Sequence, residues 1–282
     1  MFENIWEFYR MEDWVKVLGI ALLGLTTLNY FLLSPLSFFL CISECSLLLA
    51  FLFSFNNFED FLKEGEKNFI GNLIDKRRLS KNLALFLCFL PLILSLIPLY
   101  INFSYVHFTL YALFAIFAFG YSAPRIRLRD VPFVDVFCNV VFYYILFFIS
   151  YFYLNNSITL EAYFYLIWIT FFFSTSEILH QIDHFEKDRK NKRTSTAIFL
   201  GKESTIWLFK SIFLASIVVG LAILVLYPTL RIYAVVLIGS GTLKFIYFGR
   251  KISKKTNLQK LRYNMGGMLE GIAYILLNIL KL

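Results

Sequence analysis

The chain has 282 residues, of which 59% are hydrophobic, 20% aromatic and only 16% charged, with a formal net charge of +8. Soluble globular chains run at ~45–50% apolar and ~25% charged residues, so this composition excludes a chain that covers itself with polar surface in water. The positive charge falls mostly in short segments between apolar runs. That pattern excludes a nucleic-acid footprint and leaves loop asymmetry and attraction to anionic lipid as its explanation.

Residues 1–13 carry Glu3, Glu7, Glu12 and Asp13 against a single Arg10, the wrong charge for the head of a cleavable signal peptide, so the first apolar segment is expected to be retained. Nine apolar segments follow, at approximately 14–33, 36–55, 83–101, 105–121, 133–154, 159–180, 205–227, 231–248 and 264–280. Each suits one transmembrane helix, since ~20 residues at ~1.5 Å rise cross a ~30 Å hydrocarbon core. The runs are continuous and do not alternate, which argues against a β-barrel. The expectation is an all-α, polytopic membrane protein of about nine spans, forming one domain over residues 1–282.

The connections alternate in charge. Those near 56–82, 122–132, 184–203 and 250–262 hold six, three, six and six Lys/Arg residues, and those near 34–35, 102–104, 155–158 and 228–230 hold none. The positive-inside rule assigns the first set to the cytoplasm, which places the N-terminus inside and, after nine spans, the C-terminus outside. Cys41, Cys45, Cys88 and Cys138 all fall within apolar runs. Cys41 and Cys45 share a helix face, but no further metal ligands lie near them, and they read as small apolar packing residues.

Three polar motifs stand at cytoplasmic ends of spans. The second span ends in Asn56, Asp60 and Glu64, and the sixth ends in His180, His184 and Asp188, the same i, i+4, i+8 spacing offset by 124 residues. Residues four apart stack on one helix face, so each triple forms a polar stripe, and internal repeats of this kind often bracket a site. Oxygen-bearing side chains at this spacing suit Mg²⁺, which takes one or two carboxylates and completes its shell with water and phosphate oxygens. In the second motif Asp183 and Asp188 are the hard ligands, while the imidazole of His184 suits borderline metals better. The third motif, Tyr121-Ser122-Ala123-Pro124-Arg125-Ile126-Arg127-Leu128-Arg129, puts three arginines in a short loop after a proline that ends the fourth span; arginine binds phosphate bidentately. A solvated helix end and ordinary positive-inside charge would also produce acids and arginines at these places.

Taken together, the motifs resemble those of the UbiA superfamily of intramembrane prenyltransferases. Asn56, Asp60 and Glu64 match its Asn-x-x-x-Asp-x-x-x-Asp motif with Glu in the last place, and His184 and Asp188 fall on its Asp-x-x-x-Asp motif. Tyr121, Ser122, Pro124, Arg127 and Arg129 match its intervening Tyr-Ser-x-Pro-Pro-x-Arg-x-Lys loop, and Arg193, Thr194, Leu200 and Gly201 follow as the family often continues. The chain departs from the pattern at His184, at Lys192 where Gly is usual, and at Arg125 in place of the second Pro.

The resemblance implies a UbiA-like helical bundle around a central cavity. It also implies a Mg²⁺-dependent transfer of a prenyl group from a prenyl diphosphate to a lipophilic acceptor such as a quinone precursor, ether lipid or carotenoid. On that reading Asn56, Asp60, Glu64, Asp183, His184 and Asp188 are candidate metal residues, with one metal or a shifted site as the consequence of His184. Arg127, Arg129, Arg193, Tyr121 and Gln181 are candidate substrate residues. Glu177, ionisable and one turn inside from Gln181, is a candidate acceptor-binding residue or base, grouped with Asp60 and Asp188 as catalytic. Phe55, Tyr121 and Tyr143 could stabilise an allylic cation by their ring faces, although packing is the better explanation of each. The expected partners are the prenyl diphosphate, the acceptor and the bilayer, with the site toward the cytoplasm; no protein partner is implied. The same acidic stripes would serve a polyprenyl-phosphate phosphoribosyltransferase or a terpene cyclase, and His184 also fits a catalytically silent lipid-binding protein on the scaffold.

Overall fold

The computed structural model describes residues 2–27, 34–65, 67–154, 157–190, 193–249 and 256–280; the side chains of residues 2, 3, 16, 64, 247–249 and 256–267 lie outside that description. The helices in chain order are α1 (Phe2–Phe8), α2 (Met11–Trp14), α3 (Leu18–Thr26), α4 (Pro35–Glu64), α5 (Phe69–Asp75), α6 (Lys81–Leu94), α7 (Leu96–Ile101), α8 (Tyr105–Ser122), α9 (Val134–Tyr151), α10 (Leu160–Lys190), α11 (Thr196–Leu200), α12 (Lys202–Leu226), α13 (Arg231–Gly249) and α14 (Thr256–Leu280). There is no strand among the described residues.

Among the described residues, seven helical stretches are long and apolar enough to cross a membrane: Pro35–Lys63, Lys81–Ile101, Tyr105–Ser122, Val134–Tyr151, Leu160–Lys190, Lys202–Leu226 and Pro228–Ile246. The protein is therefore all-helical and multi-pass, and the described residues do not confirm the expected count of nine. The first expected span is divided into α2, a 3-10 turn at Val15–Val17 and α3, and residues 28–33 lie outside the described residues. The last is represented by the shorter apolar stretch Met268–Leu280.

Local chemistry sets the helix starts. Ser34, Asn68, Ser80, Ser104 and Ser195 each accept a backbone N–H of the first turn, satisfying a donor the helix itself leaves open. Pro35 follows the Ser34 cap, where its missing N–H costs nothing. The 30-residue α4 stops at Gly65, whose φ of 63° is left-handed and whose N–H returns to Phe61 O at 3.0 Å. Pro91 lies inside α6, and the helical run bends at Ser95 into α7.

The helices form two compact units, residues 1–128 with 145–156 and residues 129–144 with 157–282. In the first, Phe51, Phe55, Phe89 and Phe119 form a ring-on-ring core, with Phe55 stacked on Phe51 and Phe119 at 5.6 and 5.7 Å. Gly24 allows α3 to approach the Phe147 carbonyl so closely that a Cβ there would sit 2.5 Å from the oxygen. Leu36, Phe39, Phe86, Tyr100 and Ile116 are exposed on this unit, as expected of a surface solvated by lipid. Glu44, fully buried within α4, accepts the Tyr153 hydroxyl at 2.6 Å.

In the second unit Phe209 and Phe213 of α12 pack with Ile178, Leu179 and Ile182 of α10. Lys244 of α13 is paired with Glu270 of α14, and Ser240 donates to the same carboxylate at 2.7 Å. Asn278 accepts the hydroxyls of Tyr165 and Tyr233 at 2.6 and 3.0 Å. These buried polar pairs tie α14 to α10 and α13 where apolar contact alone gives little helix-to-helix preference in lipid.

Candidate active site

The first motif lies on the last turns of α4. At ~1.5 Å per residue this 30-residue helix is ~45 Å long, more than a ~30 Å core requires, so its final turns carry polar side chains without burying them in hydrocarbon. Asp60 is only 5% exposed. Its Oδ2 accepts from Asn56 Nδ2 at 3.3 Å, and its Oδ1 stands 3.9 Å from Arg127 Nη2. Ser122, at the end of α8, donates to Asn56 Oδ1 at 3.0 Å. The first unit thus brings Asn56, Asp60, Ser122 and Arg127 together in one polar cluster. Tyr121 is half-buried beside Ser122. The Glu64 side chain lies outside the described residues, so the third member of the stripe has no described position.

Arg127 is buried and has φ of 38°, a left-handed conformation that costs a non-glycine residue ~1–2 kcal/mol. Its N–H reaches Ala123 O at 2.9 Å, which closes the turn after α8 and aims the guanidinium at Asp60. Strain of this kind persists where surrounding contacts hold it, and it clusters at functional sites.

The second motif lies on the last turns of α10, 31 residues long and likewise longer than a hydrocarbon core. Asp188 is 6% exposed, and its Oδ1 stands 3.4 Å from Arg193 Nη1. The Arg193 backbone N–H also returns to Asp188 O at 3.0 Å. His180 and His184 place their rings 4.5 Å apart along the same face, and Asp183 and His184 are half-buried. Gln181 is buried and donates to Glu177 Oε1 at 3.0 Å and to Asp135 Oδ2 at 2.8 Å, while its own carbonyl accepts Ala197 N at 3.0 Å. Gln181 is thereby fully engaged within the protein. Arg129, ahead of α9, faces Asp130 at 3.9 Å.

Each motif helix therefore presents one nearly buried aspartate opposite an arginine from a later segment of its own unit. No group of three or more His, Cys, Asp or Glu side chains is arranged to hold a metal ion among the described residues. Phe55 and Tyr143 are packed against other rings, Tyr143 on Phe173, so both serve the packing that the sequence allowed for them. Sequence reasoning named Asn56, Asp60, Arg127, Asp188 and Arg193 but assigned nothing to Asp135 and Thr196. Asp135 is a lone acid at the head of an apolar run, and only its place in the fold reveals its partners.

The profile of the UbiA prenyltransferase family matches residues 17–266. The chain belongs to this family. Membership makes it an intramembrane prenyltransferase, and the motif residues occupy the helix ends that the resemblance pointed to. Among solved structures, a UbiA homolog from Archaeoglobus fulgidus bound to GPP and Mg²⁺ superposes with a TM-score of 0.76 at 18% identity, covering 96% of this chain and 99% of that one. The same homolog bound to DMAPP and Mg²⁺ gives a TM-score of 0.76 at 18% identity with the same coverage. A structure described as giving insights into digeranylgeranylglyceryl phosphate synthase in membranes gives 0.65 at 15% identity, covering 96% and 99%. These likenesses establish the UbiA fold for this chain. Comparison with curated proteins gave no significant match.

Proposed function

We propose that the motif residues at the ends of α4 and α10 serve the diphosphate of an allylic prenyl donor at the cytoplasmic face, with Mg²⁺ as cofactor, and that the enzyme passes the prenyl group to a lipophilic acceptor in the bilayer. The observation that carries this reading is the matched pair of nearly buried ion pairs, Asp60 with Arg127 and Asp188 with Arg193, in a chain of this family. The A. fulgidus homolog binds GPP or DMAPP with Mg²⁺, which supports the same ligand class here.

The donor set fits Mg²⁺. Asn56, Asp60 and Asp188 offer hard oxygens, and this ion takes only one or two carboxylates, relying on water and substrate phosphates for the rest of its shell. His184 supplies no hard oxygen, so Asp188 is the principal ligand of the second motif. When bound, Mg²⁺ neutralises charge on the departing diphosphate.

The residues of the chain do the remaining work. Arg127 and Arg193 exchange their carboxylate partners for phosphate oxygens, and the guanidinium forks suit that geometry. Their charge stabilises the transition state as the allylic carbon–oxygen bond breaks and diphosphate leaves with the bonding electrons. The allylic cation is captured by an electron pair of the acceptor, which then loses a proton. Glu177, oriented by Gln181, is the proposed proton acceptor. The aromatic-rich helices keep water from the cation, which would otherwise be hydrolysed. The positive-inside pattern of the connections supports a site toward the cytoplasm.

Comparing lipid extracts of cells with and without the protein identifies the acceptor class: a prenylated lipid disappears on deletion and returns on complementation. Consumption of a pentose donor by the purified protein, with no prenyl label entering lipid, would replace prenyl transfer by a different transferase reaction.

A further inference from the structure

We propose that Asp135 is a positioning residue for the transfer reaction, fixing the Arg193-bearing segment and the Glu177 side chain through Thr196 and Gln181. The role in transfer rests on the function proposed above; the pinning itself stands on geometry alone.

Asp135 lies in the first turn of α9 and is 2% exposed. A carboxylate has about four acceptor sites, and here all are taken by neutral donors. Oδ1 accepts Val136 N at 2.7 Å and Thr196 Oγ1 at 2.5 Å; Oδ2 accepts Gln181 Nε2 at 2.8 Å and Thr196 N at 2.8 Å. Three of the four bonds reach the end of α10 or the start of α11, far away in sequence.

The consequence is a complete N-terminal cap for α11 built from three places. Thr196 N goes to Asp135, Ala197 N to the Gln181 carbonyl and Ile198 N to Ser195 Oγ. The segment just before it is tied to α10 by the Arg193 backbone and side chain, both on Asp188. Residues 193–197 are thus fastened at both ends, and the guanidinium of Arg193 has little freedom to wander. On the other side, the Gln181 amide spans two carboxylates, Asp135 and Glu177, so the direction in which Glu177 points is set by the same network.

The network also holds the loop before α9. Phe133 has φ of 67°, an unfavourable conformation for a bulky residue, and its N–H donates to Thr196 Oγ1 at 2.7 Å. Thr194 Oγ1 donates to Asp130 O. Thr196 therefore receives from the strained residue and donates to Asp135 with one hydroxyl. An ordinary structural carboxylate needs none of this convergence on the segment that carries Arg193. An asparagine at 135 presents an N–H₂ group to Gln181 Nε2 or to the Thr196 donors, and a donor facing a donor opens the network.

The test compares wild type, D135N, T196V and T196S in liposomes, with geranyl diphosphate as the donor probe and magnesium chloride titrated. D135N and T196V should each lower kcat at least ten-fold and raise half-saturating Mg²⁺ at least five-fold, with a double variant no worse than the poorer single one. T196S, which keeps both hydroxyl bonds, should restore wild-type behaviour. A residue that merely held the fold would lower the active fraction and leave half-saturation unchanged, and that result overturns the proposal. Hydrogen exchange read on the same proteins needs no turnover. The Thr196 and Ala197 amides should exchange at least ten-fold faster in D135N while the amides of α12 do not change. Unchanged exchange overturns the pinning, whereas faster exchange in a protein whose wild type uses no prenyl diphosphate overturns the proposed function and leaves the pinning intact.

Discussion

At the scale of single residues, the proposed chemistry depends on arginines paired with carboxylates. Arg127 is buried in a strained backbone conformation with its guanidinium 3.9 Å from Asp60. A lysine at this position keeps a cation near the carboxylate and loses the fork that grips two phosphate oxygens at once. R127K is therefore expected to fold and to raise the KM for geranyl diphosphate roughly ten-fold, equivalent to ~1.4 kcal/mol, with a smaller change in kcat. Steady-state kinetics in liposomes checks this, and an unchanged KM would remove Arg127 from the diphosphate site. Asp60 and Asp188 were legible in the sequence because four-residue spacing has one meaning on a helix, while Arg127 was singled out by the run of arginines in its loop and Arg193 by the family resemblance. Asp135 was not, because its partners lie 46 and 61 residues away and no local period connects them.

At the scale of elements, the two motif helices are long for a simple reason: each must cross the core and then continue as a polar extension. The extension of α4 is closed by Gly65, where a left-handed residue lets the N–H return to the helix. Among the described residues nothing lies within 4 Å of the position a Cβ would occupy there, so an alanine meets only the backbone strain. G65A should destabilise the protein by ~1–2 kcal/mol, seen as a lower thermal unfolding midpoint in detergent. An unchanged midpoint would show that the end of α4 is not set by Gly65. Apolar run length exposed most of the spans, since hydropathy reports directly on burial in lipid. It does not register chain geometry within a run: the first segment begins with a 3-10 turn at Val15–Val17, and its residues 28–33 lie outside the described residues.

At the scale of the whole molecule, seven long apolar helices among the described residues make the protein multi-pass, and the alternating loop charge is the basis for proposing a cytoplasmic site. All four cysteines are buried, so a membrane-impermeant thiol reagent should find little native background. A cysteine at exposed Lys76 should be labelled only from the cytoplasmic side and one at exposed Thr229 only from the opposite side, in vesicles of known orientation. Labelling of both from one side would invalidate the topology. The helical architecture and the motif helices are written in apolar run length and four-residue spacing, both local properties of the chain. The capping of α11 is not, because it draws its acceptors from three segments that only the folded chain brings together.

The most direct measurement is diphosphate release from dimethylallyl and geranyl diphosphate by the protein in liposomes containing native lipid, with and without Mg²⁺, for wild type, D60N and D188N. Wild type should release diphosphate in step with the appearance of prenylated lipid, chelation should abolish both, and each substitution should lower kcat ~100-fold or more. Release that persists at the wild-type rate in either variant, or that ignores chelation, would contradict a metal-assisted transfer at Asp60 and Asp188.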